Sequence, residues 1–507
     1  MHSIPTRPAS PMREQLHSSD TATPERPMPQ IRDTPSVPDL LSRIEATEAL
    51  GDQISQAIDQ LVDAVLNLQP PAAPAPQVDP AALAGLERRM QALEQQVNLG
   101  QACQELTRTS QFHPKERSVV FVGTTYFGCN IKYAWLAFRE RARQEGITAW
   151  FLPQTGQQEQ AVTALGEACF PLNHNDWSTA HVHAALSAAV VVTCDHLLNP
   201  NPYAAALLAG ARHVQLWHGI SIKEIGLRNL APLRQMSARF ARVLSTCGPY
   251  TRLVGTSAGQ ESEWRRWFGF ERYAPIGYPR NDVLLREPDA ADLLNVDIEI
   301  YQLARKTRAA GQRVVLYAPT FRDARRGTWL LESGLEQLAQ GLAKRGDLLI
   351  VNVHPVESPL IPQLAVAIPT ARFVTPRTDL YPLMRETSLL VTDYSSVMFD
   401  YLLLDRPIVL FRPDHQDYVT RSRQLFDAKL DEHPGPLATS AQALLEVLRQ
   451  PDAQSCKFAA TRASMRQRLF DHTDGRAGER LGQLLLDELE AALCPPSGVT
   501  PCPMSSS

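Results

Sequence analysis

The feature that most constrains this chain is a repeated unit, a short apolar run that stops at a loop carrying polar, chemically capable residues. One series comprises Ser-Val-Val-Phe-Val-Gly-Thr from Ser118, then Thr148–Leu152, Ala188–Thr193, His213–Trp217 and Arg242–Thr246. A second begins with Arg-Val-Val-Leu-Tyr-Ala-Pro at Arg313 and continues with Leu348–His354, Ala371–Thr375, Leu389–Thr392 and Pro407–Phe411. Short continuous apolar runs read as strands buried on both faces. Helical stretches such as Lys132–Arg143 separate them, and this alternation implies parallel sheets with crossover helices. The order predicts two successive α/β halves, residues 111–285 and 286–493, with a boundary near Asp282–Asp297. Ligands of such sheets bind outside the carboxyl ends of the strands, so those loops are where chemistry is expected.

Four strand-end clusters stand out. In Trp217-His218-Gly219-Ile220-Ser221-Ile222-Lys223 an apolar strand delivers His218, a natural general base near neutral pH. Gly219 permits close approach, and Lys223 can counter phosphate charge. In Tyr317-Ala318-Pro319-Thr320-Phe321-Arg322-Asp323, Arg322 offers a forked donor set to phosphate oxygens. The competing reading is a local ion network around Arg322 and Asp323. In Asn352-Val353-His354-Pro355 the proline favours an extended His354, able to donate to a phosphate or leaving group, or else simply to cap a helix. In Thr392-Asp393-Tyr394-Ser395-Ser396, followed by Asp400, two serines stand where a helix should begin. Amides, dipole and hydroxyls could there cradle a diphosphate, and N-capping is compatible with that role.

Other chemistries lack their residues. There is no Walker-type loop, no dinucleotide-binding glycine fingerprint after the first strand, and no zinc-protease helix motif or other metal-spaced cluster. The sequence sets no metal requirement. Gly255-Thr256-Ser257-Ala258-Gly259 matches the hydrolase elbow pattern, but the preceding Cys247–Arg252 reads as loop or helix start, not the buried strand an elbow needs. Eight scattered cysteines make no zinc pattern and read as free thiols in a reducing compartment. A formal net charge of −4 gives no pointer to nucleic acid, and none is expected as a partner. No apolar run approaches the roughly 18 residues of a spanning helix, and residues 1–38 lack a secretory apolar core.

Residues 1–38, rich in Pro, Ser and Thr, and the tail 494–507 read as disordered. Residues 39–110 form a helical, coiled-coil-like extension with a Pro/Ala linker at 70–80. Ile54, Ile58, Leu61, Val65 and Leu68, then Leu83, Leu86, Met90, Leu93 and Val97, fall at heptad steps. Self-association into a homo-oligomer and a helical pair folded on the body are both compatible with the pattern.

The four clusters in this order resemble the CDP-glycerol glycerophosphotransferase family of teichoic acid and capsule primases and polymerases. Gly277-Tyr278-Pro279-Arg280-Asn281-Asp282, and Phe470-Asp471-His472-Thr473-Asp474-Gly475 followed by Arg480, extend the likeness over Ser118–Glu490. The resemblance implies a GT-B-like fold, two Rossmann-like halves with the active site between them, an acceptor side first and a nucleotide-donor side second. It implies His218 as general base toward an acceptor hydroxyl, with His354 and Arg322 stabilising phosphate charge. Ser395 and Ser396, with Lys223 and Thr320, would bind the donor phosphates, while Asp393 and Asp400 order the loop. Trp217, Gly219, Pro319, Pro355, Arg280, Asp282 and Asp474 are supporting positions. The implied donor is CDP-glycerol or CDP-ribitol and the acceptor is lipid-linked or polymeric. The implied location is the cytoplasm, with peripheral contact at the inner membrane face. The family commonly carries Thr-Pro after Trp-His-Gly, where this chain has Ile220-Ser221. A GT-B glycosyltransferase using a nucleotide sugar and a non-catalytic scaffold of a synthesis complex remain as alternatives.

Overall fold

The computed structural model describes residues 60, 80–197, 199–228, 246–322, 329–416, 418 and 433–494. Arg242–Ser245, most of one expected strand, Asp323, and the heptad positions Ile54, Ile58, Leu61, Val65 and Leu68 lie outside them.

Among the described residues, twelve parallel strands form two six-stranded sheets. The first half contributes β1 (Glu116–Val122), β2 (Thr148–Leu152), β3 (Ala188–Thr193), β4 (Arg212–Gln215), β5 (Tyr250–Val254) and β6 (Phe270–Ala274). The second contributes β7 (Val314–Ala318), β8 (Leu348–Val351), β9 (Ala371–Phe373), β10 (Leu389–Thr392), β11 (Ile408–Phe411) and β12 (Leu437–Ala438). β3, β7, β10 and β11 are buried at every position, as a parallel sheet covered on both faces requires. The two-sheet fold expected from sequence is therefore present. One difference is the strand before the Gly255–Gly259 motif: Tyr250–Val254 pairs with β4 and β6.

The strand orders locate the crevices. The first sheet runs β2-β1-β3-β4-β5-β6 and reverses direction between β1 and β3. The second runs β12-β11-β10-β7-β8-β9, with its reversal between β7 and β10. Connections diverge to opposite sides at such a point and leave a cleft at the strand ends. Register sharpens this: Thr392 lies opposite Ala318, and Tyr317 opposite Val351. The loops opening at Asp393, Pro319 and Asn352 therefore emerge side by side.

Helix α1 (Pro80–Phe112) leads into the first half. Its last turns are fastened there by Ser110, whose Oγ donates to the Leu207 carbonyl at 2.6 Å and accepts from Gly210 N at 2.9 Å. α2 (Cys129–Gln144) and α4 (Ala477–Leu493) cover the first sheet, with the one-turn α3 (Val397–Tyr401) following β10. α4 falls in the range read from sequence as the second half, yet it packs on α2, β1 and β3. Its buried Glu488 takes the guanidinium of Arg212 at 2.6 Å and also that of Arg252. One buried hydrophobic cluster runs through both halves, with Val119, Ile131 and Leu485 on one side and Leu316, Leu390 and Met398 on the other.

Candidate active site

A cavity of about 290 Å³ lies where the loops of the two halves meet. Trp217, His218, Gly219, Ser221 and Lys223 line it from the end of β4, and Thr320, Phe321, His354, Tyr394, Ser395 and Ser396 from β7, β8 and β10. Residues far apart in sequence thus reach one space because two sheets place their strand ends against each other.

His218 is held by its backbone and its ring. Trp217 carries φ +51°, a strained value for a bulky residue. It is fixed by Gln215 Oε1, which accepts from Trp217 N at 2.8 Å, and by Asn130 Nδ2, which donates to its carbonyl at 2.9 Å. The two rings stack with centroids 4.3 Å apart. His218 Nδ1 lies 3.2 Å from the Cys194 carbonyl. A carbonyl only accepts, so Nδ1 carries the proton and Nε2 of the neutral ring keeps its lone pair. Asp195 Oδ1 lies 3.9 Å from the same Nδ1. Sequence reasoning missed Asp195, because a single aspartate after a strand carries no signal until β3 and β4 are neighbours.

His354 has the opposite arrangement. Its Nδ1 accepts from Val356 N at 3.2 Å, so the neutral ring bears its proton on Nε2. Phe321 supports the ring with centroids 4.3 Å apart. Pro355 begins the short 3-10 turn that His354 caps through its bond from Val356 N.

The second-half loops are tied by carboxylates. Asp393 is buried and accepts from Thr320 N and Oγ1, at 2.9 and 3.0 Å, and from Tyr394 N at 2.6 Å. Arg322, also buried, donates to Asp393 at 2.9 Å and reaches both oxygens of Asp414 at 2.7 and 2.9 Å. Burial opposes its charge, but the two carboxylates outweigh that and hold its pKa above the ordinary arginine value. Arg322 thus stands in a local ion network, with Asp414 as a partner the sequence did not suggest. Ser395 and Ser396 reach the cavity, but α3 behind them has only five residues, so a long helix dipole is not available. Ser221 sits inside a tight turn, its Oγ donating to the Lys223 carbonyl at 2.7 Å and accepting from Lys223 N at 3.1 Å. This turn fixes Lys223 at the cavity wall.

Other expected residues stand behind the wall. Arg280 is buried, donates to the His218 carbonyl at 2.8 Å and pairs with Asp400 at 2.7 Å. Asp400 also accepts from Tyr381 OH at 2.7 Å, so its carboxylate faces this seam. Asp282 accepts from Ala477 N and Gly478 N at 3.0 and 2.8 Å, capping α4. Asp474 holds Arg480 through two bonds of 2.9 Å. Ser257 Oγ accepts from Gly259 N at 3.3 Å. A Cβ on Gly255 would meet Tyr273 Oη at 1.8 Å, so that glycine makes room for a tyrosine. Among the described residues no group of three or more His, Cys, Asp and Glu could hold a metal ion, and no helix is long and apolar enough to cross a membrane.

Comparison with known proteins gives a family, relatives and a fold. Residues 110–487 match the family described as CDP-Glycerol:Poly(glycerophosphate) glycerophosphotransferase. The chain is 26% identical over 293 residues to the teichoic acid glycerol-phosphate transferase of Staphylococcus aureus, covering 54% of this chain and 70% of that protein. It is 25% identical over 289 residues to the teichoic acid poly(glycerol phosphate) polymerase of Staphylococcus epidermidis, covering 55% of this chain and only 39% of that protein. Among solved structures, that of the wall teichoic acid polymerase TagF superposes with a TM-score of 0.61 at 19% identity, over 81% of this chain and 99% of that one. This likeness shows the fold. A TagF variant soaked with CDPG gives a TM-score of 0.60 at 18% identity, over 81% of this chain and 99% of that one.

Proposed function

Because the chain belongs to the CDP-glycerol:poly(glycerophosphate) glycerophosphotransferase family, we propose that it moves a polyol phosphate from a CDP-activated donor, CDP-glycerol or CDP-ribitol, to the hydroxyl of a lipid-linked or polymeric acceptor, releasing CMP. The observation that carries the reading is the pair of oppositely fixed imidazoles on one cavity: His218 with a basic Nε2, His354 with a donating Nε2–H. The acceptor hydroxyl gives its proton to His218 Nε2 as its oxygen bonds to the phosphorus bearing the polyol. The bond from that phosphorus to the CMP oxygen breaks, and the electron pair leaves with CMP. Asp195 supports the imidazolium that forms. His354, Lys223 and the hydroxyls of Thr320, Ser395 and Ser396 stabilise charge on the transferring and leaving phosphates. Such transfer depends on positioning and preorganised donors. Arg322, Asp393, Arg280, Asp400, Asp282 and Asp474 are positioning residues in this reading. The acceptor places the protein at the inner membrane face by peripheral contact, which high salt should release on fractionation.

Nucleotide release is the test, with CDP-glycerol, CDP-ribitol and a panel of nucleotide sugars, each with and without a short glycerol-phosphate acceptor. The expected result is acceptor-dependent CMP release from one CDP-polyol. His218→Ala should lower it by about 10²–10⁴-fold, the usual range for a general base. Turnover of a nucleotide sugar alone would overturn the proposed chemistry.

A further inference from the structure

Four apolar residues on α1 break the rule that apolar side chains of a soluble helix face a core: Phe112 at its last position, and three that form a stripe. Met90, Leu93 and Val97 are exposed at 61%, 61% and 58%. They share a face at i, i+3 and i+7. Among the described residues the body leaves that face exposed. Cys103, Leu106 and Ser110 make the contacts with the first half, and at 100° per residue their mean direction lies roughly 140° around the helix from the stripe.

We propose that this face is the seam of a parallel, in-register coiled coil with a second copy of the same helix. With Met90 as position a, Leu93 is d and Val97 the next a, and Leu83 and Leu86 occupy a and d of the preceding heptad. Charge then selects the partner. Arg89 falls at g and Glu94 at e, both exposed. In a parallel pair, g of one helix meets e of the next heptad on the other. Arg89 of each copy therefore faces Glu94 of its partner, twice by symmetry. The apolar stripe at Ile54, Ile58, Leu61, Val65 and Leu68 is the competing occupant from within the chain. In its heptad the e and g positions are Ser55, Ala57, Val62, Ala64 and Gln69, which give Arg89 and Glu94 no charged partner. Gly100 at the next d position closes the seam just before the helix meets the body. This inference is independent of the catalytic reading, because α1 contributes no residue to the cavity.

Sedimentation of the full chain tests it. The wild type should show a concentration-dependent doubling of mass, and Met90→Asp/Leu93→Asp should sediment as monomer with CMP release unchanged. Arg89→Glu and Glu94→Arg should each weaken the dimer by several-fold in dissociation constant. Mixing the two, or combining them as Arg89→Glu/Glu94→Arg, should restore it. The charge variants keep the test sound if the aspartate variant loses helical circular dichroism. A monomer at all concentrations, a dimer that survives Met90→Asp/Leu93→Asp, or charge variants that behave as wild type would overturn the proposal.

Discussion

At the scale of single residues, Gly219 shows how tightly the candidate base is set. Its φ is +134°, a region that L side chains rarely adopt. A Cβ there would stand 2.7 Å from Arg280 Nη2 and 3.4 Å from Ser396 Oγ. Arg280 cannot yield cheaply, because the same guanidinium holds the His218 carbonyl and the buried Asp400. Gly219→Ala should therefore displace either the clamp on His218 or the Ser396 hydroxyl. We expect a stability loss of about 1–2 kcal/mol from the backbone alone. Turnover should fall by at least about tenfold, since sub-ångström misplacement of reacting groups is costly. Thermal unfolding and CMP release measured on one preparation check both. Wild-type turnover would mean that the clamp does not position the base.

At the scale of elements, the loops after β7 and β10 act as one unit because Arg322 bridges them to Asp414. Only a planar fork can bond Asp393 through one nitrogen while meeting both oxygens of Asp414. Arg322→Lys keeps the charge but not the geometry. It should cost about 2–4 kcal/mol, near the lower end of what breaking a buried pair costs. It should also weaken donor binding more than it slows turnover, a split that a KM-against-kcat comparison reads. These loops were largely legible in the sequence because the strands before them are continuously apolar. β6 was not. Phe270–Ala274 buries its first and last residues while exposing Glu271 and Arg272, so no apolar run marks it. β12 is only two residues long. β5 carries Thr251 and Arg252 among its apolar residues, which hid the strand before the Gly255–Gly259 motif. The roles of Asp195 and Asp414 were invisible for a different reason: each depends on which strands become neighbours. The return of α4 to the first half is also a matter of topology. Its cap on Asp282 and its Glu488 pair lie about 200 residues or more from their partners in sequence.

At the scale of the whole molecule, buried ion pairs join the halves. Arg280 meets Asp400, and Lys132 meets Asp379 at 2.8 Å with both side chains fully buried. Lys132 also donates to the carbonyls of Asp292 and Leu294, so one ammonium binds the chain where it passes between halves. Lys132→Met would strand Asp379 and should cost about 3–5 kcal/mol, whereas Lys132→Met/Asp379→Leu should recover most of it. Denaturant midpoints of the three proteins decide the point, and a double variant no better than the single would show that the pair is not the seam's main tie. Stability should also fall in mild acid, through His213. This ring is half-buried on β4, 2.7 Å from Thr193 Oγ1, and its partial removal from water lowers its pKa from 6.5 to about 4. In the unfolded chain it takes a proton near its ordinary value, while in the folded chain it stays neutral until pH 4. Between these two values the unfolded state binds more protons, so stability decreases as pH falls through the window and is flat with respect to this group on either side. The full window corresponds to about 3 kcal/mol at 1.36 kcal/mol per unit, about half of it lost between pH 7 and pH 5. His213→Gln keeps a polar contact available to Thr193 but does not titrate. Its denaturant midpoint should therefore change less between pH 7 and pH 5 than that of the wild type. Parallel curves for the two proteins would place the acid sensitivity elsewhere in the fold.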